Sequence, residues 1–149
     1  MSISNSVGQK IHQPDLGLLV IRLAFGVLIA TFGIGKLMAG KALFVQIGSA
    51  MGMFGIHWHP AWWGLMCALV ESCGGVLVVL GLFFRPAAFL LVGNMAVACA
   101  TTWKGAPDFS SGMALMGWAQ GIALPVSFFA VFLGLLFTGP GRFAAGKAG

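Results

Sequence analysis

Four long apolar runs, separated by glycine, proline and charge, divide the chain at residues 16–38, 61–83, 86–103 and 112–137. Each is near the ~20 residues that an α-helix needs to cross the hydrocarbon of a bilayer. Pro14 and Asp15 open the first run, Gly40 and Lys41 close it, and Pro60 opens the second. Arg85 and Pro86 separate the second run from the third with almost no connecting chain, which predicts an antiparallel hairpin. Residues 104–108 punctuate the chain before the fourth run, and residues 139–142 end it. Pro125 falls inside the fourth run, where a kink is expected and neighbouring helices can re-satisfy the freed carbonyl. The predicted fold is all-α, a four-transmembrane-helix bundle with both termini on one side.

A shorter pattern lies between the first two spans. Leu43, Phe44, Ile47, Met51, Phe54 and Trp58 fall within an arc of ~100° at helical spacing. This predicts a short helix lying in the membrane interface, or one folded over the bundle as a lid. The five tryptophans, notably Trp58, Trp62, Trp63 and Trp103, fall at the same inferred interface and read as an aromatic belt.

Composition sharpens this picture. Of 149 residues, 59% are hydrophobic and only 7% charged, and the mean hydropathy is +0.99. A chain with so few polar groups cannot cover a water-facing surface, which excludes an ordinary soluble globule and a disordered chain. The net charge of +5 comes from lysines and arginines scattered singly, so no nucleic-acid patch is expected. Lys10, Arg85, Arg142 and Lys147 fall on the side of the termini, against Lys36, Lys41, Lys104 and Asp108 opposite. That bias places the termini in the cytoplasm. The first apolar run is too long for a signal peptide, contains Arg22 and lacks an Ala-x-Ala site, so it is expected to remain as a membrane helix. Cys67, Cys73 and Cys99 form no Cys-x-x-Cys and read as small core residues. His57 and His59 bracket Trp58, but two histidines do not make a metal site, and no metal is expected.

Charge at membrane depth costs ~3 kcal/mol or more and marks a partner or a cavity. Arg22 lies ~9 Å into its span and Glu71 ~15 Å into the antiparallel second span, which brings the two within ~6 Å axially. Asn94 and Gln120 come out at similar depth. A central cluster of Arg22, Glu71, Asn94 and Gln120 is therefore predicted. It is either a buried ion pair that fixes register or a proton, quinone-headgroup or small-anion site, with interhelical hydrogen bonding as the plainer role of the two amides. Lys36 follows Arg22 by 14 residues, on the same face and ~21 Å away, and is expected to snorkel at the far interface. Gly74 and Gly75 share the face of Glu71 and would let a neighbouring backbone come close to the carboxylate.

On these residues the chain resembles the DoxX family of small four-span membrane proteins. The resemblance rests on Arg22-Leu-Ala-Phe-Gly26 and Gly33-Ile-Gly-Lys36 in span one, and on Glu71-Ser-Cys-Gly74-Gly75-Val-Leu77, Gly81-Leu82 and Arg85 around span two. Asn94-Met95-Ala96-Val-Ala98 and Gly139-Pro-Gly-Arg142 extend it over about residues 15–142. Two departures stand out. Phe32 occupies a position where the family often has histidine, and Ala144, Ala145 and Gly146 follow where the tail often carries an acid. A proton relay through such a histidine, or a tail contact through such an acid, is thus not expected here.

The resemblance implies a four-helix bundle associated with redox partners, as in the small subunit of a thiosulfate:quinone oxidoreductase of the inner membrane. Arg22 and Lys36 would then bind a quinone headgroup or an anionic sulfur substrate, with Asn94 and Gln120 beside them, and Glu71 would exchange the accompanying proton. The sequence has no flavin, haem or iron–sulfur motif, so electrons would come from a partner subunit or directly from substrate. A small-solute or anion transporter, and a non-catalytic scaffold, use the same buried charges equally well. A membrane or peripheral redox partner subunit is expected, with self-association as the alternative.

Overall fold

The computed structural model describes residues 14–106 and 111–146. Its elements are α1 (Pro14–Ala39), α2 (Lys41–Gly48), a 3-10 turn (Ser49–Phe54), α3 (Pro60–Leu80), α4 (Phe84–Lys104) and α5 (Gly112–Thr138). α1, α3, α4 and α5 are long and apolar enough to cross a membrane. They cover the four predicted spans, so the chain is a four-span helical membrane protein. Lys10, Asp108 and Lys147, used above for the charge bias, lie outside the described residues.

The second span stops earlier than its apolar run suggests. Gly81 takes the left-handed conformation (φ 71°) that glycine adopts without a Cβ penalty. The Leu82 amide then donates to the Leu77 carbonyl at 3.0 Å, closing the helix. Only residues 81–83 separate α3 from α4, giving the expected tight hairpin. α5 runs unbroken through Pro125.

α1 and α3 pack backbone to backbone. A Cβ on Gly75 would meet the Gly26 carbonyl oxygen and the Ala30 nitrogen, each at 2.7 Å, and one on Gly33 would run into the Ser72 nitrogen. Small residues drive such contacts where lipid removes the hydrophobic preference for burying larger ones. Gly75 thus brings the α1 backbone close one turn beyond Glu71, whereas Gly74 receives the Leu91 side chain. On the other side of the bundle the contacts are between large side chains. Ile29, Val78, Leu91, Met95, Phe128, Phe132 and Leu135 form the core. Phe128 meets Phe25 and Phe32 edge-on at 5.7 and 6.1 Å. Phe32, at the position where the resemblance leads one to look for histidine, therefore serves the packing of α1 on α5.

The short segment between spans one and two is pressed against α3. Gly48 seats on the Pro60 carbonyl, and Gly64 on that of Phe44. Leu43, Phe44, Ile47 and Met51 are half-buried, as the spacing predicts, but Phe54 and Trp58 are 55% and 62% exposed. For Phe54 the change from α to 3-10 at Ser49 is the reason, because three residues per turn rotate it off the stripe set by 3.6, whereas Trp58 lies in irregular chain after the helix has ended at left-handed Gly55.

Both ends of the described chain meet at one end of the bundle. The Arg142 amide donates to Asp15 Oδ1 at 3.0 Å, and the Ala145 amide to the Leu80 carbonyl at 2.9 Å.

Candidate functional site

Two polar centres occupy opposite ends of the α1–α3 contact. The first surrounds Glu71, which is 2% exposed. Its carboxylate accepts from Lys36 Nζ at 2.6 Å on both oxygens, and from Asn94 Nδ2 at 3.0 Å on Oε1. Cys67, one turn before it on α3, places its Sγ 3.7 Å from both Lys36 Nζ and Glu71 Oε1. Three helices thus converge on one carboxylate, and the pairing with lysine and amide offsets the several kcal/mol that an isolated buried charge would cost.

The second centre surrounds Arg22. Its Nε donates to the Val78 carbonyl at 3.1 Å, Nη2 to Val79 at 2.9 Å and Nη1 to Pro140 at 2.6 Å. The guanidinium carbon also lies 5.7 Å from the Phe84 ring centroid. Val78 and Val79 present two of the last carbonyls of α3, the negative end of its dipole, so a cation there is doubly favoured.

This arrangement corrects the predicted cluster of Arg22, Glu71, Asn94 and Gln120. Arg22 is bonded to carbonyls seven and eight residues beyond Glu71, about 10–12 Å further along α3. At 26 residues α1 is about 39 Å long, against about 32 Å for the 21 residues of α3, so counting depth from the start of each run misplaces Arg22. Gln120 is exposed on α5 and lies outside the cavity described below. Of the four predicted members, only Glu71 and Asn94 meet. Lys36, expected to snorkel outward, turns inward instead and is the counter-ion.

Side-chain direction accounts for this choice of partner. Helical side chains lean toward the N-terminus of their own helix. Lys36 on α1 therefore leans toward the end carrying the termini, while Glu71 on antiparallel α3 leans the opposite way, and the two converge. Arg22 leans away from Glu71. Cys67 was not foreseen in the cluster, although its spacing of four from Glu71 places it on the same face.

The Glu71 centre borders a cavity of ≈ 580 Å³ between α3, α4 and the α2/3-10 segment. Lys36, Cys67, Glu71 and Asn94 supply its polar lining together with Gln46 and Thr101, and the remaining wall is almost entirely apolar. The segment between spans one and two is therefore one wall of this cavity, through Ile47, Gly48 and Met51. Trp63 stands apart from the exposed Trp58 and Trp62 because it also lines the cavity. Its buried Nε1 has no hydrogen-bond partner among the described residues.

The fold and the centre define a small four-span membrane protein with a polar site in an apolar, bilayer-embedded cavity. The profile of the DoxX family matches residues 17–104, more than half of the chain, and the protein belongs to that family. The match covers the first three spans and both polar centres except the Pro140 carbonyl, and ends before α5. No curated protein and no solved structure matches the chain.

Proposed function

We propose that the chain is the membrane subunit of a redox complex, of the thiosulfate:quinone oxidoreductase kind, and that its cavity holds a quinone headgroup. The observation that carries this reading is the donor set at the end of an apolar cavity. Lys36 offers an ammonium, Asn94 an amide, and Glu71 a carboxylate able to take or give a proton. A volume of ≈ 580 Å³ falls in the ~300–1,000 Å³ range of small-molecule sites, and the walls suit an isoprenoid chain. A quinone supplies two-electron, two-proton chemistry when bound. Lys36 and Asn94 would hold its carbonyl oxygens, Glu71 would exchange protons with it, and the partner subunit would deliver electrons.

Arg22 is left out of the site, because it is bonded to main-chain carbonyls at the other end of the α1–α3 contact and does not line the cavity. Gln120 is left out by its position. We further assign the chain to the inner membrane with its termini in the cytoplasm, on the side of Arg85 and Arg142.

Purification from native membranes in mild detergent, followed by intact mass and quinone extraction, tests the reading. The expected result is a heteromeric mass with bound quinone, which Glu71→Gln loses while the protein still accumulates. A quinone-free homo-oligomer overturns it, and liposome flux measurements then decide for a transporter.

A further inference from the structure

The two ends of the cavity are closed to different degrees. Toward the Lys36 end, α2 and the 3-10 turn cover it, and Gly48 is seated so closely on the Pro60 carbonyl that no Cβ would fit between them. The side between α3 and α4 is different. Met66 of α3 is 40% exposed, and Phe89 and Leu90 of α4 are 66% and 54% exposed, although all three line the cavity. They lie within membrane-spanning helices, so their exposed surface faces hydrocarbon. Gly93 completes this edge, one residue from Asn94. It is exposed, it lines the cavity, and a Cβ added there meets no atom within 4 Å.

We propose that the cavity is loaded sideways from the bilayer, between α3 and α4, with Gly93 as the threshold of the opening. The ligand class follows from the route. A molecule arriving through hydrocarbon is a lipid-soluble amphiphile, with a small headgroup bearing hydrogen-bond acceptors for Lys36 and Asn94. Its apolar tail stays between Phe89, Leu90 and the lipid. A free water-soluble anion would have to shed its hydration to take the same path, at a cost of many kcal/mol. The proposal deepens the reading of this cavity as the ligand site and rests on it.

Cys67 lines the cavity and reports on access without any ligand being known. In lipid vesicles, a protein whose only cysteine is Cys67 (Cys73→Ala, Cys99→Ala) is exposed to N-ethylmaleimide, which partitions into membranes, or to a sulfonated maleimide, which does not. N-ethylmaleimide is expected to label Cys67, and the charged reagent to react about tenfold more slowly or less. Gly93→Trp, and to a smaller degree Gly93→Leu, should slow N-ethylmaleimide by about tenfold, while Gly93→Ala keeps the original rate. Gly134→Trp is the control for folding, since it too places a side chain in open space, on α5 and away from the cavity.

Equal labelling by both reagents would overturn the sideways route in favour of an aqueous one. An unchanged rate in folded Gly93→Trp and Gly93→Leu would overturn the role of Gly93. Labelling by neither reagent before denaturation, at neutral pH and at a pH alkaline enough to ionise a buried thiol, would overturn the open cavity. Because labelling needs no quinone, a failed quinone extraction with successful labelling sinks the headgroup reading alone, and the reverse pattern sinks the route alone.

Discussion

Arg22 and Glu71 are both almost wholly buried, both face the α1–α3 contact, and their surroundings differ in kind. Arg22 is held by main-chain carbonyls at the end of a helix and, among the described residues, bonds no acidic side chain. Glu71 is held by three side chains from three helices, and one side of its group opens on a cavity. Main-chain carbonyls at a helix end exist in any sequence, so the Arg22 centre asks little of its neighbours, and it does not line the cavity. The Glu71 centre requires a lysine, an amide and a small thiol at fixed positions. The comparison separates a cation that ties elements together from an ion pair that borders a cavity.

Breaking the side-chain centre should have the largest effect. Lys36→Met leaves the Glu71 carboxylate buried without a counter-ion, for an expected loss of about 3–5 kcal/mol in reversible unfolding from bicelles. Replacing both, as Lys36→Met with Glu71→Leu, should recover most of that loss while abolishing quinone binding. Arg22→Leu should cost less, about 1.5–3 kcal/mol, because the freed carbonyls of Val78 and Val79 lie at a helix end. Its effect should concentrate in hydrogen exchange at residues 139–146, which Arg22 tethers through Pro140.

A double-mutant cycle draws the comparison most directly. Lys36 and Glu71 should couple by more than 1 kcal/mol or so, and Arg22 and Glu71 by less than about 0.5 kcal/mol. Strong coupling of Arg22 to Glu71 would mean that the two centres are one. The smallest expected effect is that of Asn94→Leu, about 0.6 kcal/mol, the average of interhelical hydrogen bonds in membranes, with weaker quinone retention as its second readout.

Much of this fold was legible before any coordinates. Four apolar runs gave four helices, and Arg85-Pro86 gave the hairpin, because bilayer thickness and proline chemistry leave few alternatives. Glu71 and Asn94 were legible as buried polar groups. Their partner was not, because depth arithmetic treats a side chain as a point at its Cα. Arg22 and Lys36 each reach several ångströms, and the lean of the Cα–Cβ bond sends one away from Glu71 and the other toward it. The stripe from Leu43 to Trp58 failed at its end for a similar reason. A stretch of 3-10 geometry changes the angular step at Phe54, and the helix has ended at Gly55 before Trp58 is reached.

The bond from Arg22 to the Pro140 carbonyl spans 118 residues, nearly the whole chain. During synthesis at ~5–20 residues per second, the first helix is made about 6–24 s before its last partner exists. For that interval Arg22 can be satisfied by α3 but not by the tail. The Arg22 centre is therefore completed only by the last residues to be made, which a protein cut short after α5 lacks. In such a product Arg22 loses one of its three carbonyls and the Leu80 carbonyl loses its bond from Ala145, while α1 and α3 stay joined through Val78 and Val79.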